Sequence, residues 1–153
     1  MNGKVARIGI ASKPGAPMDS YVSITAVAGS GLKGDRYALG EGSWNKGAQG
    51  RRQVTLINLR FVDGSGYDFL ETRRNIGVRG VELMDLVGKE FAVGNAVFRG
   101  VKYCDPCERP KQLARKDRSF RDAFHDCGGL VAEVVVGAII SVGDAVIPPK
   151  KNY

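Results

Sequence analysis

Apolar and polar residues alternate along this chain in short runs with a period of two, the pattern of half-buried strands. Val5 to Ala11 reads as a strand, with β-branched residues at Val5, Ile8 and Ile10, and Lys13-Pro14-Gly15 and Pro17 break it. Val22, Ile24 and Ala26 alternate with Ser23 and Thr25 in a second run. A glycine-rich loop, Gly29 to Gly50, follows. Gln53 to Ile57, Ile76 to Val81, Phe91 to Val93 and Asn95 to Tyr103 read as further extended segments. Leu130, Ala132, Val134 and Val136 alternate in a late strand, and Gly137 and Gly143-Asp144 punctuate a last hairpin. Tyr67 to Thr72 and Glu82 to Val87 suit single helical turns.

One segment has helical spacing of any length. Pro110 to His125 places Leu113, Phe120, Ala123 and Phe124 on one face, and Gly128 is able to terminate it. Many short strands, frequent turn signals and one main helix predict a mostly β fold, a barrel or sandwich, with no alternating βαβ pattern.

Composition narrows the class. At 153 residues the chain suits a single domain over 1–153, with 43% apolar and 25% charged residues. Lys and Arg number 23 against 16 Asp and Glu, a net charge of +7 that favours anionic partners. The cluster Arg109, Lys111, Arg115, Lys116, Arg118 and Arg121 reads as a solvated helix face. A single Trp, few aromatics and no basic recognition pattern argue against a nucleic-acid binding module. No run reaches membrane-spanning length, and Met1 to Ile10 has no leader-like apolar stretch. The three cysteines are an odd number, so the expected setting is a reducing cytoplasm, where thiols serve chemistry or metals.

Cys104-Asp105-Pro106-Cys107 stands between a strand and the helix, with Arg109 and Lys111 beside it. Positive charge there favours thiolate, the nucleophilic and metal-binding form. The spacing suits a persulfide carrier, a redox dithiol or a metal ligand. Cys104, Cys107, His125 and Cys127 are four conceivable zinc ligands, but the second pair is spaced too tightly for a usual site. A second constellation is cationic. Gly34-Asp35-Arg36, Arg51-Arg52 and Arg73-Arg74-Asn75 all lie at the ends of elements, where arginine grips phosphate and asparagine adds a directed amide.

Taken in order, these segments resemble a known family. Gly31-Leu32-Lys33-Gly34-Asp35-Arg36-Tyr37, Gln53-Val54-Thr55-Leu56-Ile57, Arg73-Arg74-Asn75-Ile76, Val87-Gly88-Lys89-Glu90-Phe91, the cysteine motif, Gly128-Gly129-Leu130-Val131-Ala132 and Val142-Gly143-Asp144 are similar to the motifs of the MOSC domain. That domain is named after the C-terminal part of molybdenum cofactor sulfurases, and the likeness runs from about residue 31 to 146. It implies a small barrel similar to that of pyruvate kinase. It implies a cytoplasmic sulfur carrier or sulfurtransferase that accepts sulfur as a persulfide on Cys107, with Cys104 assisting. The implied donor is a pyridoxal-phosphate cysteine desulfurase, and the implied acceptor is a molybdoenzyme or another metal–sulfur centre. In relatives such as the mitochondrial amidoxime reducing component, the equivalent cysteine ligates molybdenum and nearby arginines and an asparagine hold the phosphate of molybdopterin. Carried over, Cys107 is the molybdenum ligand of an oxidoreductase component, and Arg36, Arg52, Arg73, Arg74 and Asn75 are the cofactor-binding set. Arg74 stands where those relatives carry proline. The resemblance predicts that Arg36, Arg52, Arg73 and Asn75 converge on one face near Cys107.

Overall fold

The computed structural model describes residues 2–40 and 52–150. Arg51 and the later part of the glycine-rich loop fall outside the described residues. Among the described residues eleven strands and three short helices are formed. They are β1 (Gly3–Ile10), β2 (Asp19–Tyr21), β3 (Ser23–Val27), β4 (Gly31–Leu32), β5 (Val54–Asn58), α1 (Leu59–Val62), β6 (Ile76–Arg79), β7 (Glu90–Val93), β8 (Ala96–Tyr103), α2 (Arg109–Ala114), α3 (Phe120–Ala123), β9 (Leu130–Val136), β10 (Ala138–Ser141) and β11 (Ala145–Ile147). Single 3₁₀ turns at Leu70–Thr72 and Leu83–Leu86 match the two short helical segments expected from sequence.

Seven strands close into a barrel. The order runs β11-β7-β8-β9-β5-β6-β1, and β1 returns to β11 through Gly3↔Val146 and Lys4↔Ala145. β2 extends the sheet outside the barrel along β1. β10, β3 and β4 form a separate small sheet whose Ala26, Leu32 and Ile140 are buried in the same core. Closure leaves few open edges in a chain of short strands.

Alternation decides which side chains enter the barrel. Val54 and Leu56 of β5 join Val5, Ile8, Ile76, Phe98 and Leu130 inside. Ile57 points the other way, into a second cluster with Leu59, Tyr67, Phe69, Phe120 and Phe124 on the outside of the wall. Strand β5 is therefore buried on both faces.

Two features differ from the sequence reading. β5 and β6 pair in parallel, Leu56↔Ile76 to Asn58↔Val78, with α1 and the Leu70–Thr72 turn between them. All the other strand pairs are antiparallel. The long helix over Pro110 to His125 is instead two short ones, α2 and α3. Arg115 ends α2 in the left-handed conformation (φ 54°). Ser119 then caps α3, its hydroxyl accepting from the Asp122 N–H at 3.2 Å. Glu108 ties the two together by accepting from the Ser119 hydroxyl at 2.9 Å and the Arg121 N–H at 2.8 Å. Of the expected apolar face, Phe120 and Phe124 are fully buried, while Leu113 is exposed.

Candidate functional site

Five segments meet at one cleft. Pro14 and Gly15 come from the segment after β1, Arg36 and Tyr37 from the turn after β4, and Arg52 from just ahead of β5. Arg73 and Arg74 precede β6, and Asp105, Cys107, Arg109 and Pro110 follow β8. Five arginines thus face one carboxylate. Including its open mouth the cleft holds about 480 Å³ of empty space. A more apolar hollow, lined by Pro17, Met18, Leu70, Leu113 and Ala114, adjoins it across Gly15 and Arg73.

The cysteine motif is held from below by glycines. Cys104 N–H donates to the Gly129 carbonyl at 2.9 Å. A Cβ on Gly128 would collide with the Cys104 carbonyl, and one on Gly129 with the Leu56 carbonyl. The Gly128-Gly129 step therefore admits the close approach of three chain segments. The two cysteines of the motif differ in burial. Cys104 is buried, at 1% exposure, and its Sγ accepts from Arg52 Nη1 at 3.6 Å. Cys107 is half-buried and lines the cleft. Burial opposes the charge on Arg52, but Cys104 and Tyr37 beside it outweigh that and hold its pKa above the ordinary value.

The arginines are not equivalent. Arg36 is a buttress. Its guanidinium bonds Asp35 and the Arg73 carbonyl at 3.0 and 3.1 Å, reaches the Tyr37 hydroxyl at 3.1 Å and lies over that ring. Asp35 is itself fully buried and accepts from the Ala11 and Tyr37 N–H groups. Arg73 occupies a left-handed position (φ 62°) and spends one Nη1 bond on the Ala16 carbonyl. Burial, then repulsion from Arg36 and Arg109, pushes its pKa down to about 10. Arg74 donates from Nε to the Gly128 carbonyl at 2.7 Å and from Nη1 to the Thr72 carbonyl at 3.2 Å, with Phe120 beneath it.

What remains is the informative part. Arg73 Nη2 and Arg74 Nη2 are both buried with no hydrogen-bond partner. The residues are only 9% and 6% exposed and line the same cleft. An unpaired buried donor costs about 1–3 kcal/mol, more when charged. An oxyanion would supply acceptors for both nitrogens, and the phosphate of molybdopterin is a group of that acceptor chemistry.

Asn75 does not line the cleft. Fully buried, it accepts from the Thr55 N–H and hydroxyl at 3.0 and 3.2 Å and donates to the Gly9 carbonyl at 3.1 Å. It pins β5, β6 and the end of β1 together. So Cys107, Arg36, Arg52, Arg73 and Arg74 are brought together, while Cys104 and Asn75 sit behind them. Sequence reasoning passed over Pro14, Gly15 and Tyr37 as cleft residues, and it set Arg109 beside the cysteine motif as well as within a solvated cluster. Among the described residues no group of three or more His, Cys, Asp and Glu could hold a metal ion. The zinc set is thus not assembled, and His125 is exposed beside Asp126.

The comparisons agree with this architecture. The MOSC domain model matches residues 51–147. The chain belongs to the MOSC family. That family is associated with molybdenum cofactor sulfurase-like proteins. No curated protein matches the sequence significantly. Among solved structures, YuaD from Bacillus subtilis superposes with a TM-score of 0.80 at 17% identity, over 95% of this chain and 94% of that one. YiiM from Geobacillus stearothermophilus gives 0.67 at 10% identity, over 97% and 75%. YiiM from Escherichia coli gives 0.63 at 13% identity, over 97% and 71%. At these identities the likeness establishes the fold. No helix among the described residues is long and apolar enough to cross a membrane.

Proposed function

We propose that this MOSC protein carries sulfur as a persulfide on Cys107 and delivers it to an anionic acceptor held in the arginine cleft. The observation that supports this reading is the meeting of a cleft-lining thiol with two unpaired, buried guanidinium nitrogens. The thiolate of Cys107 attacks the outer sulfur of a donor persulfide, R–S–SH. A new S–S bond forms on Cys107, the donor's S–S bond breaks, and the donor leaves as its thiolate. No net oxidation occurs. Cys104, behind Cys107 in the motif, is the group that can resolve the persulfide. Its thiolate would displace hydrosulfide and leave a Cys104–Cys107 disulfide.

The donor is proposed to be a pyridoxal-phosphate cysteine desulfurase, and the acceptor a molybdoenzyme or its cofactor. When molybdopterin is bound, it supplies a metal centre that takes sulfur or binds thiolate. Arg73 and Arg74 would hold its phosphate, supported by Arg36 and Arg52, in the cleft that Cys107 also lines. Phosphate binding provides the test of the cleft, with phosphorylated pterin or inorganic phosphate as probe. Arg73→Ala and Arg74→Ala should each weaken it about tenfold or more, since a charge-assisted contact is worth roughly 1.5–3 kcal/mol. Unchanged affinity in a calorimetric titration would remove the cleft from the account.

A further inference from the structure

We propose that thiosulfate is a direct sulfur donor to Cys107, which makes the cleft a thiosulfate sulfurtransferase site. The proposal rests on the reading of Cys107 as a sulfur carrier and adds a small-molecule donor to it. The size of the cleft motivates the choice. Its volume is only about 40 Å³, far below the roughly 300–1,000 Å³ of sites for drug-sized ligands. That space admits a ligand of a few atoms whole, but only the head of a larger one. Its wall is cationic, with five arginines against Asp105, so a dianion is the favoured occupant. Arg73 Nη2 and Arg74 Nη2 are buried donors in need of oxyanion acceptors. A single thiol, Cys107, faces the same space, because Cys104 is buried on Arg52.

Phosphate and sulfate satisfy the arginines but offer the thiol nothing to take. Thiosulfate satisfies both, since its sulfonate oxygens suit the guanidinium pair and its outer sulfur is transferable. The Cys107 thiolate attacks that outer sulfur. The bond between the outer sulfur and the sulfonate breaks, and its electron pair leaves with sulfite. The products are the Cys107 persulfide anion and sulfite, with no oxidant or reductant required. Three negative charges enter the step and three leave it. The arginines serve twice, offsetting repulsion between thiolate and dianion and then holding the departing sulfite.

The full chain, reduced and then freed of reductant, is incubated with thiosulfate. Intact mass should show one added sulfur atom on Cys107, with matching release of sulfite. Cyanide, added as acceptor, should give thiocyanate with turnover. Sulfate should compete, raising KM for thiosulfate without changing kcat. Arg74→Gln should slow loading by thiosulfate about tenfold or more. Arg73→Gln, which breaks only one bond to the Ala16 carbonyl, provides the same test should the first variant fold poorly. Loading by the desulfurase without any by thiosulfate overturns this proposal and leaves the carrier reading intact. Failure with both donors overturns both. Equal thiosulfate loading in parent and both arginine variants overturns the role given to the cleft.

Discussion

Arg73 and Arg74 are neighbours in sequence and both enter one cleft, a placement that the left-handed turn at Arg73 accompanies. The spacing of a motif says which residues gather, but not which atoms stay unpaired. The cysteines show the same division. Cys107 as the reactive thiol was legible from Cys-x-x-Cys between a strand and a helix. That Cys104 is buried against Arg52 was not, because the contact joins residues 52 positions apart. Alkylation with iodoacetamide, read by peptide mass, should label Cys107 first. Cys104 should lag because it is buried. Cys127 should lag for another reason, as burial and then Asp126 push its thiol up from its ordinary value. A raised thiol holds less thiolate at a given pH, so Cys127 labelling should accelerate only at higher pH than that of an ordinary thiol. Earlier labelling of Cys104 or Cys127 would contradict the assignment.

Elements were legible where periodicity was strong, and less so where a local cap competed with it. Leu130, Ala132 and Val134 recur at every second position on the core side, and β9 forms over Leu130–Val136. Pro110 to His125 has helical spacing, yet Ser119 with Asp122 three residues on is itself a helix start, and it divides the segment. Arg115 takes the left-handed conformation at the division. Arg115→Gly should therefore leave stability unchanged or raise it by up to about 1 kcal/mol in urea unfolding, since glycine accepts that φ without strain. A clear loss would show that the Arg115 side chain itself holds the two helices together. Asn75 makes the opposite case. As a motif residue it was assigned to the ligand, whereas its amide joins three strands. Asn75→Ala should destabilise the fold by about 2–4 kcal/mol, the scale of breaking a buried hydrogen-bond network. A variant of full stability with lost phosphate binding would return Asn75 to the site.

At the scale of the molecule, the barrel class followed from many short strands with turns between them, but its closure did not. The pairing of β1 with β11 joins the two ends of the sequence through Gly3 and Val146. No local pattern encodes such a register. The parallel step from β5 to β6 was hidden for a related reason: its crossover is built from α1 and a 3₁₀ turn too short to give a helical period. Closure and crossover together bring the segments before β5 and β6 to the segment after β8, and so set arginines around Cys107. Because the orphaned guanidinium groups are relieved by an anion that binds only the folded barrel, phosphate should raise Tm. The same addition should do little for a double Arg73→Ala, Arg74→Ala variant. The central claim is sulfur carriage at Cys107. The measurement that meets it most directly is the intact mass of the reduced protein after incubation with a cysteine desulfurase and cysteine. The account predicts one added sulfur atom, located on Cys107, removed by reductant and absent from Cys107→Ser. No added sulfur, or loading of Cys107→Ser at the parent's rate, would contradict it.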